Sequence, residues 1–180
     1  MPKFWRLDRW VHQYYDLPLK EFLDPWRDRL LQHFYDNPPP EGVYNVYCNI
    51  EEFNNHLENI INPIIHEYYS IDPRYERNEY NIYVQDNENY NSVWHNHTEG
   101  TASITGVMYI TPPQQGGGLE VLNPPRVPYS IAAKENVLTL FPAWLSHRPL
   151  PQTDNEKRIC INYSYSSYKR PVHKISGDLW

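Results

Sequence analysis

Glycine is scarce in this 180-residue chain, 7 residues against 17 prolines, and cysteine is scarcer still. The two cysteines, Cys48 and Cys160, allow at most one bridge, so a disulfide-stapled scaffold is excluded. No apolar run is long enough to span a bilayer as a helix. The opening Met1-Pro2-Lys3-Phe4-Trp5 lacks the apolar stretch of a secretory leader. Positive charge is also in deficit, with 16 Lys and Arg against 22 Asp and Glu and a net charge of −6. Such a mean field repels phosphate and argues against general binding to nucleic acid or anionic membranes. No G-x-S-x-G nucleophile motif supports acyl transfer. Gly116-Gly117-Gly118 precedes no helix, so it reads as a turn rather than a phosphate cradle. The expectation from these absences is a soluble, cytoplasmic protein.

What the chain does contain is aromatic side chain, chiefly 16 tyrosines and 6 tryptophans. That content excludes disorder, because disordered segments are poor in aromatics. The length suits one domain with its own core. The first third reads as helical. Asp24-Pro25 is a helix-start signal, followed by Trp26, Leu30, Leu31 and Phe34 on one face. That helix must stop before Pro38-Pro39-Pro40. After Asn49, Phe53, Leu57, Ile60, Ile61, Ile64, Ile65 and Tyr68 form an apolar stripe at helical spacing, with a kink expected at Pro63. From Tyr80 onward the period changes to two. Strands are expected at 79–84, 90–97, 102–111, 118–122, 127–132, 136–141 and 157–165, separated by Pro- and Gly-rich breakers. Short strands so punctuated predict a mainly β fold, a double-sheet jelly-roll barrel with N-terminal helices. The expected organisation is a single domain over 1–180: helical support over 1–70, the jelly-roll core over 79–165 and a C-terminal arm over 166–180. Residues 1–20 and 166–180 carry aromatics such as Trp5, Trp10, Tyr168 and Trp180. They are expected to pack either on the body or on a partner, with homo-oligomer or assembly contacts as one outcome.

The residues able to carry chemistry lie in the strand-rich part. His95 and His97 sit at i and i+2 of a candidate strand, so their imidazoles share a face, with Glu99 next in line. Two ligands from one strand and one from a distant strand build a metal site with open positions. His147, at the end of the hydrophobic run Leu138–Leu145, is the distant candidate. In the strand over 157–165, Arg158, Cys160, Asn162 and Ser164 share the face opposite Ile159, Ile161, Tyr163 and Tyr165. Arg158 either points to solvent or lines a polar cavity; in a cavity it needs an anion, and a carboxylate held bidentately would serve. Thr105, Val107 and Tyr109 alternate with Ile104, Gly106, Met108 and Ile110, so Tyr109 can offer its hydroxyl to the less apolar face. His12, His33, His56, His66 and His173 lack partners at ligand spacing and read as surface or packing residues.

Taken in order, WHNH (94–97), SITGVMYI (103–110), GGGLEVLNP (116–124), VLTLFPAWLSH (137–147) and KRICINY (157–163) resemble the iron(II)- and 2-oxoglutarate-dependent oxygenases. The likeness is greatest to a group found among marine bacteria and phages, and it covers residues 80–165. The resemblance implies a dioxygenase using Fe(II) and 2-oxoglutarate that hydroxylates a substrate and releases succinate and CO2. It implies His95, His97 and His147 as metal ligands and Arg158 as the grip on the distal carboxylate of 2-oxoglutarate. Tyr109 would support that carboxylate, and Thr105 and Asn162 would complete the cosubstrate contacts. The family's usual ligands are two histidines and one carboxylate. Position 97 is histidine, so two solutions stand: a neutral three-histidine site, or His97 and Glu99 with His147. Two further readings are a non-catalytic jelly-roll assembly module and a zinc or cupin-type metalloprotein, since three histidines plus water also suit zinc.

Overall fold

The computed structural model describes residues 3–38, 50–70, 77–86, 92–98, 102–166 and 172–173. In chain order the elements are β1 (Lys3–Arg6), β2 (His12–Tyr15), α1 (Lys20–Asp36), α2 (Glu51–Tyr68), β3 (Tyr69–Ser70), β4 (Arg77–Gln85), β5 (Ala102–Thr111), β6 (Leu119–Asn123), β7 (Val127–Ile131), β8 (Leu138–Pro142), β9 (His147–Pro149), β10 (Arg158–Ser166) and β11 (Val172–His173). Six strands make an antiparallel sheet in the order β1-β2-β8-β5-β10-β4, and three make a smaller sheet in the order β7-β6-β9. β11 pairs with β3. This is a jelly-roll core with helices on one side.

Alternation along the strands decides which residues face which layer. Ile159, Ile161, Tyr163 and Tyr165 of β10, with Ile104, Met108 and Ile110 of β5, pack against Leu23, Trp26, Leu30 and Phe34 of α1 and Phe53, Leu57, Ile61 and Ile65 of α2. Each such fully buried apolar side chain contributes about 1.5–3 kcal/mol by leaving water. The opposite face of the large sheet looks toward the small one. There Phe141 joins Val11, Leu119, Val121, Ile131 and Leu145 in a second, smaller cluster. Arg158, Cys160, Asn162, Thr105 and Tyr109 belong to this inner face by the strand period.

The structure corrects the N-terminal reading. β1 and β2 extend the large sheet, with His12 opposite Leu140 and Tyr14 opposite Leu138. Tyr14 is buried on the helix side, and on the other face Gln13 Nε2 donates to Thr139 Oγ1 at 3.1 Å. Four residues are too few for a period to show in the sequence. α1 begins at Lys20, four residues before the Asp24-Pro25 signal, because Leu19 and Leu23 are buried and Leu23 N donates to Leu19 O at 2.7 Å. Pro25 therefore lies inside the helix, where it cannot donate to the Glu21 carbonyl. α2 matches its stripe and runs through the exposed Pro63. In the 90–97 segment, the described part keeps one isolated bridge, His95 to His147, in place of a strand. Val93 there is 65% exposed.

Candidate metal centre

β8 ends at Pro142, and a tight turn with Leu145 N donating to Pro142 O at 2.9 Å reverses the chain into β9. The turn makes His147 the first residue of β9 and buries its ring against Phe141, centroids 4.8 Å apart. His147 Nδ1 lies 2.9 Å from Leu145 O. That carbonyl can only accept, so Nδ1 carries the proton and Nε2 keeps its lone pair. The segment 92–98 runs antiparallel to this strand start. His95 N donates to His147 O at 3.0 Å, His147 N to His95 O at 2.9 Å, and His97 N to Ala143 O at 2.9 Å. His95 Nδ1 lies 3.0 Å from Val93 O, which by the same logic leaves its Nε2 as the free donor atom.

The three side chains meet at one point. One ring nitrogen from each of His95, His97 and His147 lies within 4.8 Å of the others, and the two Nε2 atoms of His97 and His147 are 3.3 Å apart. Two metal–nitrogen bonds of about 2.1 Å span that separation at an angle of roughly 100°. Burial lowers the pKa of His97 to about 4, helped by the charge of His95. Burial likewise lowers His147 to about 3, with His95 and His97 adding to the shift and the Leu145 carbonyl opposing it. Both rings are neutral near pH 7, the form that ligates metal. Glu99 lies outside the described residues.

A cation lies deeper between the sheets. Arg158 opens β10 and is 1% exposed. Its Nη1 donates to Gly117 O at 2.7 Å and to Leu150 O at 3.3 Å, and its Nη2 donates to Gln85 Oε1. Its Nε–H has no partner among the described residues. Each of these partners is neutral, so among the described residues the buried charge meets no anion, a costly state. Gly117 can present its carbonyl here because its φ of +63° suits glycine, and a Cβ would come within 2.3 Å of Pro113 Cγ. Leu150, whose carbonyl Arg158 reaches, is three residues beyond His147 along the chain.

Tyr109 stands beside Cys160 in the strand register and is buried. Its pKa is raised, first by burial and then by the Cys160 thiol, while Arg158 pulls it down. The amide oxygen of Asn162 is buried without a partner among the described residues. Thr105 Oγ1 donates to Tyr163 O at 2.9 Å. Sequence reasoning missed Gln85, Gly117 and Leu150 as the cradle of Arg158. Their only signal is strand register, as Gln85 pairs with Arg158, and register appears once the sheet is assembled.

No family model and no curated protein sequence matches the chain. Solved structures do resemble it. A prolyl 4-hydroxylase from Phytophthora capsici aligns at TM-score 0.64 and 13% identity over 90% of this chain and 60% of that one. A prolyl-4-hydroxylase from Pseudomonas putida aligns at TM-score 0.61 and 9% identity, covering 88% and 93% of the two chains. SnoK, a non-heme alpha ketoglutarate dependent carbocyclase from nogalamycin biosynthesis, aligns at TM-score 0.65 and 11% identity over 91% and 81%. The chain spans about three fifths of the length of the Phytophthora enzyme. At these identities the likeness is one of fold.

Proposed function

We propose that the chain is a non-haem iron(II)- and 2-oxoglutarate-dependent dioxygenase that hydroxylates a C–H bond and releases succinate and CO2. The observation that carries this reading is the presence of two features in one fold: three histidines with one ring nitrogen each within 4.8 Å of the others, and a buried guanidinium with no anionic partner among the described residues. Iron(II), when bound, supplies oxygen activation coupled to decarboxylation of the cosubstrate. His95, His97 and His147 hold it through ring nitrogens whose tautomers, at His95 and His147, are set by backbone carbonyls. Three neutral ligands leave the divalent charge uncompensated by protein, which favours a dianionic cosubstrate. Arg158 takes the far carboxylate on its unpartnered Nε–H and the remaining Nη2 N–H. Tyr109 donates to the same end, and Asn162 offers its amide. Thr105, with its proton committed to Tyr163, lines the cavity as an acceptor. The prolyl hydroxylases and the alpha ketoglutarate dependent SnoK share the fold, which supports the same reaction class.

Anaerobic addition of 2-oxoglutarate to the iron(II)-loaded protein tests this. A visible metal-to-ligand charge-transfer band is expected, followed by succinate formation on admitting oxygen. Arg158→Met is expected to weaken cosubstrate binding about 100-fold, in line with removal of a buried charge partner, with metal affinity unchanged. Absence of both band and succinate in the wild type contradicts the proposal.

A further inference from the structure

The residues beside the histidines face the other way. In extended backbone, neighbours point to opposite faces. Arg148 follows His147 on β9, Glu120 precedes Val121 on β6, and Trp94 precedes His95. Val121 pairs with His147 and lies in the inner cluster, so the three neighbours share the outer face of the small sheet. They touch one another there. Arg148 donates from Nε and from Nη2 to Glu120 Oε2, each at 2.7 Å, and its guanidinium carbon lies 4.6 Å from the centre of the Trp94 ring. The Glu120 side chain is 16% exposed and that of Arg148 35%, so the stack is shielded enough to resist screening.

This stack adds a side-chain anchor to the segment 92–98, whose backbone meets the body of the fold at the His95–His147 bridge and at His97 N. A metal site tolerates shifts of only about 0.2 Å in ligand distance. We propose that Trp94, Arg148 and Glu120 form a positioning clamp, outside the barrel, that fixes His95 and His97 against His147. Metal affinity then depends on three residues that never touch the metal. The inference rests on the three-histidine metal reading.

Cobalt(II) titration followed by its ligand-field absorption tests it without turnover. Trp94→Ala and Arg148→Gln are each expected to weaken cobalt binding about tenfold and to broaden the spectrum, as loss of outer supports does at metal sites. Trp94→Phe keeps a ring under the guanidinium and is expected to bind within about twofold of wild type. The double variant Trp94→Ala/Arg148→Gln is expected to be no weaker than the weaker single one, because both remove the same contact. Circular dichroism establishes folding of each variant; if Trp94→Ala does not fold, Arg148→Gln decides alone. Wild-type affinity and spectrum in Trp94→Ala or Arg148→Gln overturn the clamp, as does a Trp94→Phe variant as impaired as Trp94→Ala. If wild-type protein binds no cobalt, the metal reading itself fails and the clamp falls with it.

Discussion

At the scale of single residues, His97 and His147 tie the site to stability. An exposed histidine takes a proton near pH 6.5, whereas burial holds His97 near 4 and His147 near 3. The unfolded chain thus binds more protons than the native one throughout that interval. Stability of the metal-free protein is full above about pH 6.5 and falls as pH drops toward 4. Urea midpoints measured across this range are expected to decline, and to decline less in His97→Ala; parallel profiles for the two proteins contradict the assignment. In the sequence H-x-H singles out His95 and His97, the end of a hydrophobic run singles out His147, and strand alternation singles out Arg158; that the three histidines come together appears only in the fold. The partners of Arg158 were not legible there, since Gln85 and Gly117 reach it only through the folded register.

At the scale of elements, amphipathic period carried the long helices and strands. α2 buries Phe53, Leu57, Ile61, Ile64, Ile65 and Tyr68, the stripe read from the sequence. Short elements escaped that reading: β2 has four residues and β9 three, and both are specified by pairing with β8 and β6 rather than by their own pattern. The start of α1 was misplaced because Asp24-Pro25 looks like a cap, while buried Leu19 and Leu23 draw the helix further back. Proline inside a helix has a measurable cost. Pro63 is exposed in the second half of α2, where its missing N–H leaves the Asn59 carbonyl without a helical donor. Pro63→Ala restores that bond, less the entropy that proline removes from the unfolded chain, and is expected to stabilise by about 1–2 kcal/mol. Chemical denaturation measures it; a loss of stability means the helix bends there to follow the sheet.

At the scale of the whole molecule, two sheets of unequal size carry the histidine cluster at the β8–β9 turn and the Arg158 cradle at Gln85, Gly117 and Leu150. Alternating strands and proline breakers announced the jelly roll, and the fold resemblance to SnoK and to two prolyl hydroxylases agrees with it. The central claim concerns the metal itself, and X-ray absorption of iron(II)-loaded protein tests it most directly. The account predicts one iron per chain with the outer scattering of three imidazole rings in the wild type and of two in His97→Ala. Iron surrounded by fewer than two rings in the wild type, or a spectrum unchanged by His97→Ala, contradicts it.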